Sequence, residues 1–221
     1  SHLQLIRDAW AGRPLPGGDR LYPVNPGLVD RIWQATFSLE GARRAGAAGD
    51  GLMLSRTQPR PAGSPGLSLA EIQNPMIDAY LAALPAKREP RILASRSVFV
   101  ADDRKEALRL AAVGLARRGA RLAGTDRVVA GATVDDLIKA FDVHIGTPGE
   151  VIASLQADST LARATELTVQ VHSIDPPQPY ILRSIELVAE AVAPALGWTR
   201  DGFVGARHVA ERERHRLEWK T

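Results

Sequence analysis

The sequence predicts an α/β fold built on a parallel sheet. Three observations carry that expectation. Four compact, β-prone apolar runs recur, at Ile32–Phe37, Leu52–Ser55, Arg91–Ala101 and Leu167–His172. Each is followed by a stretch with helical character. Several of those stretches open on N-capping residues, and the first closes on glycine. Strands that alternate with helices pair in parallel through right-handed crossovers. Two architectures satisfy this pattern: a small doubly wound sheet, or half of an eight-stranded barrel.

The elements follow in order. Leu3 to Ala11 reads as a short helix, with Leu3, Ile6 and Trp10 at helical spacing, stopped by Gly12. Pro14 to Gly18 is a loop. After the first strand, Ser38 is a natural N-cap for a helix to about Ala48, and Gly49-Asp50-Gly51 closes it. The second strand leads into a loop, Gln58 to Leu67, rich in proline and glycine. Ser68-Leu69-Ala70-Glu71 is a capping box for a helix to about Leu84, with Pro75 disturbing its early part. After the third strand, Asp102 is the expected cap of a helix to about Arg118. Gly119 to Ala132 has no clear period and suggests disorder. Thr133 to Phe141 reads as helical. Thr147-Pro148-Gly149-Glu150 opens a helix to about Ala157. The last helix places Ile181, Ile185, Val188, Val192 and Leu196 on one stripe. Residues 1–198 form the folded unit, and 199–221 read as a charged tail or solvated helix.

Composition narrows the function. The 221 residues hold 45% hydrophobic and 24% charged side chains, ordinary for a globular chain. The absence of cysteine removes disulfides, thiolate metal sites and cysteine nucleophiles. No apolar stretch approaches a membrane span. With 28 basic against 25 acidic residues the net charge is +3, too mild to imply nucleic acid, and aromatics are scarce. The first residues, Ser1-His2-Leu3, lack a methionine and carry no secretory leader pattern, so a fragment or processed start is expected, while the missing cysteines fit a cytoplasmic setting. The glycine-rich turn of a doubly wound nucleotide binder is missing: the first strand-to-helix turn reads Phe37-Ser38-Leu39-Glu40-Gly41. The Walker loop is absent as well.

Four segments carry a resemblance. They are Leu3–Gly12 followed by Tyr22; Ile32 to Ser38 with Ala42 to Gly46 and Gly49-Asp50-Gly51-Leu52; Ile145-Gly146-Thr147-Pro148-Gly149-Glu150-Val151; and Arg183 to Pro194, with Ser184, Glu186, Leu187, Ala189, Val192 and Pro194 in the spacing Ser-x-Glu-Leu-x-Ala-x-x-Val-x-Pro. In order and spacing, over residues 3 to 198, the chain resembles the luciferase-like flavin monooxygenases. That resemblance implies a (β/α)8 barrel of the TIM type, of which this chain supplies about the last four βα units. It implies reduced FMN, or a deazaflavin, as cofactor, with dioxygen and a small organic substrate. It leaves open an oxidoreductase on the same fold, or a non-catalytic half-barrel. A half-barrel has exposed edges and an open core, so either a longer chain or a homodimer is expected.

Barrel active sites lie at the C-terminal ends of the strands. The polar residues there are Thr36 and Ser38, Ser55 and Arg56, Arg96 and Ser97, and Gln170 and His172. The resemblance implies that Thr36 and Ser38 hold the flavin phosphate at a helix N-terminus, where free N–H groups and the dipole favour an anion. The plainer reading of Ser38 is a cap. Ser55 and Arg56 are implied to lie beside the flavin ring, where the cation would face phosphate or anionic reduced flavin. The plainer reading of Arg56 is a surface salt bridge or a contact to the long loop. His172 is the candidate proton carrier and the expected catalytic residue; otherwise it is satisfied by the Asp175-Pro176-Pro177 turn. His208, Glu211 and His215 share a helical face but lack zinc spacing, so no metal is expected. His144 reads as structural. The Gln58–Leu67 loop reads as a lid or as an insertion.

Overall fold

The computed structural model describes residues 2–121, 131–199 and 202–203. A five-stranded, all-parallel sheet forms from β1 (Trp33–Ala35), β2 (Gly51–Leu54), β3 (Ile92–Val100), β4 (Val143–Gly146) and β5 (Glu166–Gln170). The order is β1-β2-β3-β4, and β5 also pairs with β3. β2 and β5 both pair with Leu93 and Ala94, so they occupy opposite edges of β3. β4 joins further along, with Ser97 opposite Val143.

Eight helices surround the described strands: α1 (His2–Trp10), α2 (Leu39–Ala47), α3 (Leu69–Ala83), α4 (Arg104–Arg121), α5 (Val134–Ala140), α6 (Pro148–Gln156), α7 (Gln178–Leu187) and α8 (Ala193–Ala195). Their starts follow capping chemistry. Ser38 Oγ accepts from Gly41 N–H at 3.1 Å. At α3 the capping box closes, with Ser68 Oγ accepting from Glu71 N–H at 3.2 Å and the Glu71 carboxylate accepting from Ser68 N–H at 2.8 Å. These bonds hold the Glu71 carboxyl below the usual carboxylate range.

Two apolar layers lie between the sheet and the helices on one face. Leu52, Leu54 and Ile92 pack against Ala42, Ala45, Met76, Ile77 and Tyr80. Val98 and Val100 pack against Val151, Leu155, Leu187 and Val192. Each fully buried aliphatic side chain contributes about 1.5–3 kcal/mol. Gly46 sets the α2–α3 approach, since a Cβ there would stand 2.2 Å from the Tyr80 carbonyl oxygen. On the opposite face, register aligns Ala35 with Met53, Met53 with Leu93, and Ser95 with Thr168. Ala35, Glu166 and Thr168 are exposed there. This face, where Met53 and Leu93 sit among smaller and polar residues, would be the interior of a closed barrel. Only its C-terminal end is covered: Phe99 and Val143 pack under α4 and α5 through Ala107, Leu110, Ala111, Leu115 and Leu137.

The motifs of the sequence acquire structural roles. The Asp50 carboxylate is buried, accepting from Gln34 Nε2 at 2.7 Å and pairing with Arg7, so it ties α1 to the sheet. Ser184 Oγ accepts from Val100 N–H at 2.9 Å, which anchors α7 to β3. Glu150 accepts from the N–H and hydroxyl of Thr147 at 2.9 Å each.

Several expectations are corrected. There are five strands in the main sheet, not four: Val143–Gly146 is also a strand, although only two of its four residues are apolar. The third strand runs to Val100, so Arg96 and Ser97 lie within it and not at its end. Arg96 is fully buried in the helix layer, with Nε donating to Asp158 Oδ2 at 2.6 Å and Nη2 to Gln73 Oε1 at 3.0 Å. Asp103 caps α4 through its carboxylate and Glu106 N–H at 3.0 Å, while Asp102 pairs with Arg183. α4 continues to Arg121, past the expected break. In the last helix Ile185 is exposed and the buried line is Ser184, Leu187 and Val192. A π-helical segment, Val188–Val192, shifts the phase there. Residues 204–221 lie outside the described residues, and with them the His208, Glu211 and His215 face and most of the charged tail.

Candidate functional site

The C-terminal ends of β1, β2 and β5 form one rim. At the end of β1, Thr36 Oγ1 accepts from Ser38 N–H at 3.2 Å, and the two hydroxyl oxygens stand 3.5 Å apart. Ser38 caps α2, as the plainer reading requires, and the Thr36 hydroxyl stands 3.5 Å from both the Ser38 carbonyl oxygen and Ser38 Oγ, so the hydroxyl protons have acceptors within the corner. Both hydroxyls stand beside the first turn of α2, where helix N–H groups lack intrahelical partners. Gly41 makes this packing fit: a Cβ there would stand 1.8 Å from Thr36 Oγ1 and 3.2 Å from Ser38 Oγ. Glu40, the acidic residue of that turn, is paired with Arg43.

At the end of β2, Ser55 Oγ lies 3.1 Å from both the Thr57 N–H and the Thr57 hydroxyl, so its hydroxyl shapes the turn. Its carbonyl accepts from Gln73 Nε2 at 2.8 Å. Arg56 reaches across the sheet, and its Nη1 donates to Ser97 Oγ at 3.2 Å. Among the described residues it has no carboxylate partner. Partial burial lowers its pKa from the ordinary arginine value, because its charge is poorly solvated. The salt-bridge reading of Arg56 is therefore not what the fold adopts.

β5 ends at Gln170, so His172 sits on the following turn and not within the strand. It is exposed. Gln170 Nε2 lies 2.7 Å from His172 Nε2. An amide nitrogen only donates, so in this orientation Nε2 accepts and the ring proton resides on Nδ1. Ser173 Oγ donates to the Gln170 carbonyl at 3.0 Å.

Arg56, Gln170, His172 and Ser173 face a cleft of about 460 Å³ whose other wall is α4, through Gly114, Arg117 and Arg118. Asp175 closes one side, 3.3 Å from Arg117 Nη1. The guanidinium of Arg118 lies over the Phe141 ring, 4.4 Å from its centre. Gly114 brings α4 against the turn after β5, since a Cβ there would stand 1.6 Å from the Ile174 carbonyl oxygen. The rim thus splits the expected site. Arg56 and His172 share the cleft, whereas Thr36, Ser38 and Ser55 are not among its lining residues and form a neighbouring polar corner. Arg117, Arg118, Gly41 and Gly114 were not singled out in the sequence. The Arg117-Arg118 pair was the available signal, but only the fold shows that this helix crosses the strand ends.

The start of the Gln58–Leu67 loop is anchored. Arg60 Nη2 donates to both carboxylate oxygens of Asp142, at 2.7 and 2.6 Å, and Gln58 is buried against Met76. Pro61 to Gly63 are exposed. His144 lies in β4, its Nδ1 2.7 Å from Ser154 Oγ. Burial, with the nearby Arg96 cation, pushes its pKa down to about 4. It is a neutral structural imidazole. Among the described residues no cluster of His, Asp or Glu is arranged to hold a metal. No helix among them is long and apolar enough to cross a membrane.

No protein-family model and no curated protein sequence matches the chain. Solved structures do. Monooxygenase RslO1 from Streptomyces bottropensis is 24% identical with a TM-score of 0.54, over 86% of this chain and 58% of that one. The oxygenating constituent of 3,6-diketocamphane monooxygenase from Pseudomonas putida, solved with FMN, is 18% identical with a TM-score of 0.53, over 87% and 61%. The coenzyme F420-dependent tetrahydromethanopterin reductase from Methanopyrus kandleri is 13% identical with a TM-score of 0.53, over 86% and 60%. At these identities the likeness is one of fold. The chain shares the fold of these structures, a (β/α)8 barrel, as a partial barrel. It spans less than two thirds of the length of each of these structures.

Proposed function

We propose that the chain is part of a flavin-dependent monooxygenase that uses reduced flavin and dioxygen on a small organic substrate. The observation that carries this reading is the polar corner at the end of β1. The Thr36 and Ser38 hydroxyls and the first-turn N–H groups of α2 stand together there, with the bare Cα of Gly41 letting the Thr36 side chain pack on the helix start. Those residues fit a flavin phosphate, held by hydrogen bonds and the helix dipole. Ser55 and Arg56 stand next along the rim, where the arginine would offset negative charge on the ring. A reduced flavin held there supplies the electrons that activate dioxygen. His172, bonded to Gln170, is the group that holds or moves a proton at the cleft. The Gln58–Leu67 loop rises from the same rim, fixed at its base by Arg60, and restricts water over the site. A cytoplasmic setting and a homodimer complete the reading, the latter supported by the unpaired outer edges of β1 and β5 among the described residues.

Photoreduced FMN mixed with the protein and air tests the reaction. Dioxygen uptake coupled to incorporation of labelled oxygen into a small organic substrate is expected. Hydride transfer under anaerobic conditions, without such incorporation, would instead assign an FMN- or deazaflavin-dependent reductase. That second reading is favoured by the likeness to the F420-dependent reductase. A protein that supports neither reaction nor flavin binding would be a non-catalytic half-barrel.

A further inference from the structure

We propose that the cleft between the ends of β2 and β5 and the flank of α4 is an oxyanion site, taking the carboxylate or phosphate group of a small organic ligand. The inference stands on the cleft alone and does not need the flavin reading. Arg56 and the Arg117-Arg118 pair, some sixty residues apart in sequence, bring three guanidinium groups to one cavity of about 460 Å³. The facing carboxylate, Asp175, is 82% exposed and holds Arg117 at 3.3 Å, a long contact between exposed groups. Such pairs contribute little, so an incoming oxyanion displaces this one at small cost. Arg56 is the sharper indication. Its charge is partly buried, its partner in the described structure is the neutral Ser97 hydroxyl, and an anion in the cleft would supply the missing counter-charge. Stacking on Phe141 fixes the guanidinium plane of Arg118, which suits fork-like recognition of a carboxylate or phosphate. Gln170 adds amide hydrogen-bonding capacity at the cleft floor.

The test is calorimetric titration of the full chain with inorganic phosphate and with benzoate, and separately with FMN and riboflavin. At least one of the two oxyanions is expected to bind saturably. The combined Arg117→Gln and Arg118→Gln variant is expected to lose at least tenfold in affinity. Arg104→Gln, on the same helix but paired with Glu150, is expected to match the parent. If the double variant weakens FMN but not riboflavin, the oxyanion is the cofactor's own phosphate, and the Thr36–Ser38 corner does not hold it. If it weakens benzoate and leaves FMN unchanged, the oxyanion belongs to a substrate. Absence of binding by either oxyanion, or equal binding by all variants, overturns the proposal. Should the double variant fail to fold, labelling of the parent by phenylglyoxal decides. Protection of Arg56 and Arg117 by the bound oxyanion supports the site, and unchanged labelling refutes it.

Discussion

A methyl group on Gly41 would stand 1.8 Å from Thr36 Oγ1, so the smallest side chain in the rim fixes the position of its hydroxyls. Ser38 separates capping from binding. Ser38→Ala removes the cap and costs about 1 kcal/mol of stability. Ser38→Asp keeps a capping oxygen and adds a negative charge. Chemical unfolding is expected to show near-parental stability for Ser38→Asp, while its FMN affinity falls by about tenfold or more and its riboflavin affinity holds. His144 gives a pH signature. The folded chain protonates it only near pH 4, whereas the unfolded chain does so near 6.5. Unfolding between those values takes up a proton, so the stability is complete above pH 6.5 and declines as pH falls towards 4, by about 3 kcal/mol. Urea unfolding across that range is expected to show the decline in the parent and a flatter profile in His144→Asn. At this scale the sequence was partly legible. Ser38 as a cap and His144 as structural follow from local signals. The bonding of Arg56 to Ser97 does not, because it joins residues 41 positions apart.

At the scale of elements, α4 is where sequence reading loses the site. A helix from residue 104 is readable from its composition. That its far half crosses the strand ends, and is not confined to the outer layer, depends on the contact of Gly114 with Ile174. Gly114→Ala forces that contact apart, and overpacking of this kind costs about 1–3 kcal/mol. Thermal unfolding is expected to register that loss, and oxyanion binding in the cleft is expected to weaken with it. Gly46→Ala provides the comparison: it strains α2 against Tyr80 at a similar cost but leaves the cleft intact. The short strand β4 was invisible because His144 and Gly146 interrupt its apolar residues, and its pairing with the far end of β3 is non-local. The π-helical segment brings Leu187 and Val192, five residues apart, onto one buried line; the stripe read at a uniform 3.6-residue period held Val192 but not Ser184 or Leu187. The ordered motifs of the barrel were legible because each has a local structural task, such as the Asp50 tie and the Ser184 anchor.

For the whole molecule, the two faces of the sheet differ. One is sealed by two apolar layers, and the other mixes Met53 and Leu93 with polar residues and is open over Ala35, Glu166 and Thr168. The alternation of strands and helices made the parallel sheet readable, and the missing glycine turn argued against a doubly wound nucleotide binder. Light scattering during size exclusion is expected to give a dimer mass, and a monomer at all concentrations would remove the paired state from the account. The central claim is that the strand-end rim holds a flavin, and direct titration of the purified chain with FMN tests it. Saturable binding at one FMN per chain is expected, with quenched flavin fluorescence and a shifted visible spectrum, weakened by Ser38→Asp. Unchanged flavin fluorescence and absorption throughout the titration would contradict it.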